Sequence, residues 1–435
     1  MDRKVKGVHC VEGEIRPGGD KSISHRALML SGMAEGESFI RGLSGARDVL
    51  STLNSLEKLG VTLERHGRTV QVGGKGLSGL SGPLRADGAD PVVLDCGNSG
   101  TTARLLTGLL AGAGVRARLV GDRSLSSRPM KRVIDPLCSF GARIEHRGGR
   151  LPLTIQGGTL GPIRYSVPVP SAQVKTALIL ASMFVDGKSV IDENIVTRDH
   201  TERLIKAMDA HFSRAQHGNG ERITVEGRQS LSPLDIDVPG DISSAVFYIV
   251  LALIMPGSRL VVRNVGLNPT RARILSVFRR MGAELDTTVE TGDPEPAGTV
   301  CVKSSALSGT EVSGGEIPLI IDEIPALACA ALFAEGETVV RDAAELRVKE
   351  SDRIEAVCDM IRRFGGEVEV KKDGFTVRGG ASIRNASVES GGDHRIAMAA
   401  SVLACAAPGT SIIRDAECVS VSCPEYFDLL QCIVR

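Results

Sequence analysis

Residues 18–30 have the sequence GGDKSISHRALML, a glycine turn followed by the polar start of an apolar helix. The first turn of a helix leaves backbone N–H groups without partners and carries a partial positive charge. Lys21 and Arg26 add cations there, and Ser22 and Ser24 add hydroxyls, so the stretch predicts a site for an anion such as phosphate. A surface helix capped by serine has the same local pattern, and this stretch alone does not decide between the two.

The same layout recurs along the chain. Five further apolar, alanine-rich helices are predicted, each after a short polar opening, at intervals of 70 to 81 residues. The openings are CGNSGTTAR from Cys96, PSAQVKTA from Pro170, PGDISSAV from Pro239, IDEIPALA from Ile321 and GGDHRIAM from Gly391. A regular period of this length indicates one repeated structural unit.

Each repeat is predicted to contain a helix, a strand, a second helix and two further strands. In the first repeat these are a helix from Ser24, a strand over 38–41, a helix over 48–59 and a hairpin over 61–72. In the third repeat the second helix is predicted over 201–212. The sixth repeat ends without a hairpin, and the N-terminal arm, which alternates like a strand at 11–15, is expected to supply part of what is missing.

A single repeat cannot bury its own apolar helix, whereas three repeats around a common axis can. Six repeats therefore predict an α/β (α+β) fold of two domains, each with three repeats packed around buried first helices. The predicted domains are 1–19 together with 240–435, and 20–239. The glycine-rich crossings near 18–20 and 238–241 would form a hinge on which the two domains close.

The polar openings are expected to gather at one surface of each domain, with the two surfaces facing each other across a cleft. First helices contribute Lys21, Ser22, Arg26, Asn98, Thr101, Ser171, Gln173, Asp322 and Arg395, and second helices add Arg128, Arg198, Lys349, Glu350 and Arg353. Because arginine binds phosphate and carboxylate through paired hydrogen bonds, this set suits a polyanionic substrate, or two substrates that bear these groups. Taken singly, RVKESDR and TRDHTER are also typical of exposed, charged helix starts.

The amino-acid composition argues against several classes of protein. The 435 residues include 52 basic and 52 acidic side chains, 3% aromatic residues and no tryptophan, which disfavours nucleic acid as a partner. Ten cysteines form no C-x-x-C pair and no zinc-ligand spacing, so reduced thiols and a cytoplasmic location are expected. The N-terminus has no apolar signal core, and the longest apolar run, 245–255, is too short to cross a membrane.

Several motifs together resemble the signatures of the 5-enolpyruvylshikimate-3-phosphate synthase family. In chain order, over nearly the whole length, they are GDKSISHRA, GNSGTTAR, SRPM, PSAQVKTA, RDHTER, IDEIPALA, RVKESDR and GGDHRIAMA. The forms KSISHR and SAQ resemble the bacterial class II branch. The resemblance implies two domains, each of three βαβαββ units, that close on substrate without a metal or organic cofactor.

The resemblance also implies a reaction, the sixth step of the shikimate pathway to chorismate and the aromatic amino acids. In this step the enolpyruvyl group of phosphoenolpyruvate is transferred to the 5-hydroxyl of shikimate 3-phosphate, and phosphate is released. For shikimate 3-phosphate the implied contacts are Lys21, Ser22, Arg26, Ser171, Ala172, Gln173, Arg198, Asp322 and Lys349. For phosphoenolpyruvate they are Lys21, Gly100, Arg128, Gln173, Arg353 and Arg395.

The chemistry of this reaction requires a base and an acid. The 5-hydroxyl must lose its proton, and Asp322 is the candidate base. The methylene carbon of phosphoenolpyruvate must gain a proton, for which Lys21 and Glu350 are both candidates. Glu350 would then have to hold a proton at neutral pH.

Two positions bear on the details of the resemblance. Class I members carry a lysine shortly before the final Pro-Asp-Tyr-Phe, whereas residues 420–427 here contain none, so a contact of that lysine with phosphoenolpyruvate is not assumed. Gly100 stands where an alanine causes glyphosate resistance in some members, so its glycine predicts sensitivity to this inhibitor.

A full set of site residues in one chain favours a monomer.

Other functions remain as alternatives. The sister enolpyruvyl transferase that acts on UDP-N-acetylglucosamine has Lys-Asn at the position of Lys21-Ser22 and a PGGC-type catalytic cysteine loop, which this chain lacks. A non-catalytic, anion-binding repeat protein would not need Asp322 and Glu350 beside so many cations. Residues 74–79 match the G-x-G-x-x-G pattern of dinucleotide enzymes, but Gly82 and Pro83 follow, so a loop and no helix is expected there.

Overall fold

The computed structural model describes residues 1–81 and 90–435, which group into two compact units. The first unit comprises 21–238 with 293–295, and the second unit comprises 1–20, 239–292 and 296–435. The chain passes between the units after Asp20 and after Val238, and again on either side of 293–295. That the units are domains which move as bodies and close on a hinge stays a prediction.

The N-terminal arm carries two strands, β1 (Arg3–Lys6) and β2 (Glu12–Ile15). The first unit follows with α1 (Lys21–Met33), β3 (Glu35–Arg41), α2 (Arg47–Lys58), β4 (Thr62–His66), β5 (Thr69–Lys75), α3 (Gly76–Ser81), β6 (Val92–Asp95), α4 (Gly100–Ala113), β7 (Arg116–Val120), α5 (Arg123–Ser127), α6 (Lys131–Ser139), β8 (Ile144–Arg147), β9 (Arg150–Gln156), β10 (Arg164–Val167), α7 (Ala172–Ser182), β11 (Lys188–Glu193), α8 (His200–Ala207), β12 (Phe212–His217), β13 (Gly220–Glu226) and β14 (Asp235–Asp237).

The second unit continues the same alternation of helices and strands. Its elements are α9 (Ile242–Ile254), β15 (Arg259–Gly266), α10 (Arg273–Arg280), β16 (Leu285–Thr291), β17 (Ala297–Lys303), β18 (Glu311–Val312), α11 (Ile317–Ile320), α12 (Ile324–Phe333), β19 (Glu337–Val340), α13 (Arg353–Arg363), β20 (Glu367–Lys371), β21 (Gly374–Arg378), β22 (Ser387–Glu389), α14 (His394–Ala406), β23 (Thr410–Arg414), α15 (Val419–Ser422) and α16 (Tyr426–Ile433). Across the part of the chain that the structure describes, every helix is too short or too polar to span a lipid bilayer.

Each repeat forms its own small sheet, and one strand order recurs. Among the described residues, five sheets have four strands, as in β14-β3-β5-β4 and β6-β7-β9-β8, where the first two strands are parallel and the later pairs are antiparallel. The sixth sheet has the order β22-β23-β1, and residues 3–6 of β1 pair antiparallel with 410–413 of β23. The expectation that the N-terminal arm supplies part of the sixth repeat is therefore confirmed, but by residues 3–6, since residues 12–15 of the predicted strand pair with β15.

Two strands are exchanged between repeats. β2 directly precedes α1 along the chain, yet it pairs parallel with β15 of the fourth repeat. β14 directly precedes α9 and pairs parallel with β3 of the first repeat. Each unit thus contains one sheet whose first strand comes from a distant part of the sequence.

The first helix of each repeat lies in the core of its unit. In the first unit, α4 packs on α7 so closely that a Cβ atom on Gly108 would lie 2.1 Å from the carbonyl oxygen of Ala177, and one on Gly112 would lie 2.7 Å from that of Ala181. Any side chain at these glycines would push the two helices apart. In the second unit, α9, α12 and α14 contact one another and are buried along almost their whole length. The predicted packing around buried first helices is confirmed.

Two predicted helix ends are wrong. α1 begins at Lys21 instead of Ser24, so Ser24 lies within the helix, where its hydroxyl accepts from the N–H of Ser44 at 3.0 Å. α8 ends at Ala207 instead of continuing to residue 212, because Asp209 adopts a positive φ of 58° and turns the chain towards β12.

The predicted loop at 74–79 is also wrong. β5 ends at Lys75, and α3 begins at Gly76, whose positive φ of 67° turns the chain out of the strand so that Leu80 is buried. Gly82 and Pro83, on which the expectation rested, lie outside the described residues. A dinucleotide site is still disfavoured, because β5 pairs antiparallel with both of its neighbours and the dinucleotide motif needs a parallel βαβ unit.

Candidate active site

In the first unit, hydrogen bonds join the starts of α4 and α7. Gln173, in the first turn of α7, donates through Nε2 to Oγ1 of Thr101 at 2.9 Å, and its Oε1 accepts from Nη1 of Arg104 at 2.9 Å. Arg104 also donates to the carbonyl oxygens of Gly100 at 3.4 Å and Pro129 at 3.2 Å. Residues of α4 therefore fix the side-chain amide of Gln173 at both of its polar atoms.

Arg128 lies beside the same helix start and is largely buried. Its Nη2 donates to Oδ1 of Asn98 at 2.7 Å and to Oγ of Ser124 at 3.2 Å. Gly100, the first residue of α4, faces two guanidinium groups, since a Cβ atom there would lie 2.7 Å from Nη1 of Arg104 and 3.5 Å from Nη1 of Arg128. The structure thus brings together Gly100, Arg128 and Gln173, which were predicted from separate motifs.

Lys21 is the first residue of α1 and forms an ion pair with the first turn of α2. Its Nζ lies 2.7 Å from Oδ2 of Asp48, and the main-chain oxygen of Asp48 accepts from Oγ1 of Thr102 at 3.2 Å. The pair therefore links α1 and α2 to the start of α4. The sequence pattern does not single out Asp48, because an acidic residue in the first turn of a helix is common for purely electrostatic reasons.

Arg26 is buried and ties α1 to α7 and α8. Its Nε donates to Oγ1 of Thr201 at 2.9 Å, and its Nη2 donates to Oγ1 of Thr176 at 3.0 Å. Its Nη1 donates to the main-chain oxygen of Ser22 at 2.9 Å. Two threonine hydroxyls and one carbonyl thus orient the guanidinium, and neither threonine was singled out from the sequence.

The other predicted residues of this unit lie at the starts of α7 and α8. Ser171 caps α7 and accepts from the N–H of Val174 at 3.4 Å, and Ala172 is the first residue of that helix. Arg198 lies half-buried in the turn that leads into α8. The backbone at the starts of α7 and α8 fixes the positions of these three residues.

A buried ion cluster supports the turn that carries Arg198. Nζ of Lys175, one turn into α7, lies 2.8 Å from Oε2 of Glu193 and 2.7 Å from Oε1 of Glu202. Burial disfavours the charge of Lys175, but the two carboxylates outweigh it and raise its pKa, while burial raises the pKa of Glu193. This cluster was not predicted, although a lysine within an otherwise apolar helix indicates a buried partner of opposite charge.

In the second unit, Asp322 occupies the turn between α11 and α12. Its Oδ1 lies 3.5 Å from Nζ of Lys349 and 3.3 Å from Nη1 of Arg353. Asp322 is 18% exposed and Lys349 is 29% exposed, so both side chains reach solvent, whereas Arg353 is buried. A hydrogen-bond acceptor and an ammonium donor side by side suit the recognition of hydroxyl groups.

Arg353, the first residue of α13, is the centre of the ion pairs. Its Nε lies 2.8 Å from Oδ2 of Asp393, and its Nη2 lies 2.5 Å from Oε2 of Glu350. Burial disfavours the charge of Arg353, but the two carboxylates outweigh it and raise its pKa. Burial also favours protonation of Asp393, but the charge of Arg353 outweighs this and lowers its pKa. Both groups therefore stay ionised at neutral pH.

Arg395 joins this cluster through backbone oxygens. Its Nη1 donates to the main-chain oxygens of Asp322 at 2.8 Å and Ser243 at 3.3 Å. The backbone N–H of Arg395 donates to Oδ1 of Asp393 at 2.9 Å. The same aspartate thus contacts both Arg353 and Arg395. The predicted residues that meet in this unit are Asp322, Lys349, Glu350, Arg353 and Arg395. Among the described residues, no group of three or more His, Cys, Asp or Glu side chains is placed to hold a metal ion.

The comparisons with known proteins agree in family and fold. The profile of the EPSP synthase (3-phosphoshikimate 1-carboxyvinyltransferase) family matches residues 5–430. A 3-phosphoshikimate 1-carboxyvinyltransferase of Pelotomaculum thermopropionicum is 48% identical over 434 residues, 99% of this chain and 98% of that relative. One from Geobacter sp. (strain M21) is 45% identical over 434 residues, 99% of each chain.

Solved structures show the same similarity. An EPSP synthase from Acinetobacter baumannii superposes with a TM-score of 0.86 at 36% identity and covers 100% of this chain and 98% of that one. The enolpyruvyl transferase NikO from Streptomyces tendae superposes with a TM-score of 0.77 over 99% and 96% of the two chains. At 16% identity the second match shows a shared fold alone.

Proposed function

This chain belongs to the EPSP synthase (3-phosphoshikimate 1-carboxyvinyltransferase) family, and we propose that the side-chain networks of both units act on the same two substrates. The chain is a transferase of the shikimate pathway. It transfers the enolpyruvyl group of phosphoenolpyruvate to the 5-hydroxyl of shikimate 3-phosphate and releases phosphate. Each unit supplies a different set of groups to this reaction.

The first unit supplies most of the donors for the two phosphate groups. The proposed contacts to shikimate 3-phosphate are Lys21, Ser22, Arg26, Ser171, Ala172, Gln173 and Arg198. The proposed contacts to phosphoenolpyruvate are Lys21, Gly100, Arg128 and Gln173. The starts of α1, α4 and α7 support this assignment, because helix N-termini and arginines favour anions.

The second unit supplies groups for the shikimate ring and for the enolpyruvyl carboxylate. Asp322 and Lys349 bind the ring hydroxyls, which fits an acceptor and a donor 3.5 Å apart at the surface. Arg353 and Arg395 bind phosphoenolpyruvate. Asp393 supports this role, because its carboxylate accepts from the guanidinium of Arg353 and from the backbone N–H of Arg395.

The reaction proceeds by addition and elimination. The 5-hydroxyl oxygen bonds to C2 of phosphoenolpyruvate while Asp322 accepts the hydroxyl proton, and C3 gains a proton from Lys21 or Glu350 and becomes a methyl group. The resulting ketal loses phosphate and one methyl proton, which restores the double bond. Asp48 holds Lys21 at 2.7 Å and Arg353 holds Glu350 at 2.5 Å, so both candidate groups have fixed positions. Because Glu350 is paired with Arg353 as a carboxylate, it can act as the acid only after it has gained a proton.

The placement of the Asp322 carboxylate beside Lys349 and Arg353 is the observation that carries this proposal. The test is phosphate release from phosphoenolpyruvate, with either shikimate 3-phosphate or UDP-N-acetylglucosamine as the acceptor. Release with shikimate 3-phosphate alone is the expected result. Release with only the sugar nucleotide, or with neither acceptor, contradicts the proposal.

We further propose that the protein is a cytoplasmic monomer that glyphosate inhibits in competition with phosphoenolpyruvate. The presence of every proposed site residue in one chain supports a monomer. All ten cysteines are free thiols, which fits a reducing compartment. Gly100 leaves room beside Arg104 and Arg128, which supports glyphosate binding. Light scattering measures the oligomeric state, and inhibition kinetics test whether glyphosate competes with phosphoenolpyruvate.

A further inference from the structure

Arg271 is a buried arginine that lies outside the motifs and the proposed substrate contacts. It stands in the turn between β15 and α10, where Oδ1 of Asn268 accepts from the N–H of Thr270 at 2.9 Å and fixes the backbone. Only 3% of the side chain is exposed. Its three guanidinium nitrogens reach three carboxylates, Asp20 through Nε at 3.2 Å, Asp241 through Nη2 at 2.9 Å and Glu323 through Nη1 at 3.1 Å.

These four residues, called the Arg271 cluster, hold more negative than positive charge. Arg395 is a second cation nearby, with its Nη1 at 4.0 Å from Oε1 of Glu323. Burial raises the pKa of Asp241, and so does the charge of Asp20, whereas Arg271 lowers it. A buried ion cluster is weak evidence for stability, because removing charges from water offsets much of their attraction. Stability therefore does not explain the Arg271 cluster, whereas its contacts fix three separate segments of the chain.

Two carboxylates of the cluster directly adjoin a proposed substrate contact in sequence. Asp20 directly precedes Lys21. Glu323 directly follows Asp322, whose main-chain oxygen accepts from Nη1 of Arg395 at 2.8 Å.

Asp241 acts on the second oxygen that orients Arg395. It caps α9 by accepting from the N–H of Ser243 at 2.8 Å, and the main-chain oxygen of Ser243 accepts from Nη1 of Arg395 at 3.3 Å. Both carbonyl oxygens that orient Arg395 therefore lie on segments that Arg271 holds.

We propose that Arg271 is a positioning residue for enolpyruvyl transfer, which fixes the backbone around Asp322 and Ser243 and thereby aims Arg395 at phosphoenolpyruvate. This inference rests on the proposed function. A lysine at position 271 keeps the charge but places all of its donors on a single nitrogen, so it cannot reproduce the three separate nitrogens through which Arg271 meets Asp20, Asp241 and Glu323. A misplacement of about 1 Å in a catalytic site can lower its rate about a hundredfold.

The test compares Arg271→Lys with the wild-type protein by steady-state phosphate release and by thermal unfolding. We expect kcat/KM for phosphoenolpyruvate to fall about a hundredfold, with a rise in KM for phosphoenolpyruvate and a much smaller change in the dissociation constant of shikimate 3-phosphate alone. Glu323→Gln removes the charge of one partner and is expected to show the same pattern more weakly. Arg273→Lys is the matched control, because Arg273 is exposed and pairs only with Glu316 on the surface in the described residues.

A second control separates positioning from loss of stability. Phe278→Leu shortens a fully buried side chain of α10 and leaves every residue of the Arg271 cluster in place. The inference is overturned if KM for phosphoenolpyruvate is unchanged in Arg271→Lys, or if Phe278→Leu raises it equally at the same loss of unfolding temperature. A wild-type protein without turnover would overturn the proposed function and this inference with it. Turnover in the wild type with unaltered kinetics in Arg271→Lys would overturn this inference alone.

Discussion

The ammonium of Lys21 lies 2.7 Å from the carboxylate of Asp48, and the two side chains are only 18% and 12% exposed. The pair joins the first residue of α1 to the first turn of α2. Since Lys21 is proposed to contact both substrates, Asp48 decides where that charge lies before either substrate binds.

Asp48→Asn is therefore expected to lower kcat/KM for both substrates about tenfold or more. A hydrogen bond to a charged group contributes about 1.5–3 kcal/mol, and about 1.4 kcal/mol corresponds to a factor of ten. Steady-state phosphate release measures this change. Glu57→Gln, an exposed position on the same helix, serves as the control and should leave both constants unchanged. Equal kinetics in Asp48→Asn and the wild type would show that Lys21 needs no such partner.

Gly100→Ala is expected to raise KM for phosphoenolpyruvate about tenfold and to weaken inhibition by glyphosate. The added methyl would lie 2.7 Å from Nη1 of Arg104 and 3.5 Å from Nη1 of Arg128, so at least one guanidinium must move. Binding of shikimate 3-phosphate, measured by calorimetry, should change little. Gly292→Ala is the control, because a Cβ atom there has no neighbour within 4 Å. An unchanged KM in Gly100→Ala would mean that the two guanidinium groups can move aside without weakening the binding of phosphoenolpyruvate.

Local patterns predicted the repeats and most of the candidate site. The polar opening and the apolar helix recur because every repeat must bury its first helix against those of the neighbouring repeats. Most of the site residues lie in these polar openings. The exchange of β2 and β14 between repeats was not predictable in this way, because strand pairing depends on partners that lie far apart in sequence. The helix α3, which starts at Gly76 and buries Leu80, was also missed, because Gly82 and Pro83 indicated a loop at residues 74–79.

The missed residues are mostly partners of predicted ones. Arg104 and Asp393 stand inside the motifs, but sequence spacing does not show that the first orients Gln173 or that the second joins Arg353 to Arg395. The same holds for the carboxylates around Lys175 and Arg271, which come from different elements. Ion pairs of this kind appear only when the tertiary structure brings the elements together.

Asp393→Asn is expected to lower the free energy of unfolding by about 3–5 kcal/mol at pH 7, because it leaves Arg353 buried without its main partner. The charge of Arg353 lowers the pKa of Asp393 below its ordinary value of 3.8, so the pair stabilises the fold above that pH and loses this effect as the pH falls below it. The difference between variant and wild type should therefore shrink in acid. Urea unfolding between pH 3 and 7 measures it.

Asp359→Asn is the matched control for this pair, because Asp359 forms an exposed ion pair with Arg363 one turn apart on the same helix. Surface pairs of this kind contribute about 0.3–0.5 kcal/mol, so its midpoint should stay close to that of the wild type. A loss in Asp393→Asn no larger than in Asp359→Asn would contradict a stabilising role for the buried pair.

Asp322→Asn is expected to lower kcat about 10²- to 10⁴-fold while the dissociation constant of shikimate 3-phosphate changes only a few-fold. The amide keeps an oxygen near Lys349 and can still bond to a ring hydroxyl, but it cannot accept the hydroxyl proton. Single-turnover phosphate release and calorimetry with shikimate 3-phosphate separate the two effects. Asp342→Asn, an exposed aspartate of the same unit, should leave both unchanged. If Asp322→Asn loses the substrate but turns over normally at saturation, Asp322 binds shikimate 3-phosphate and another group removes the proton.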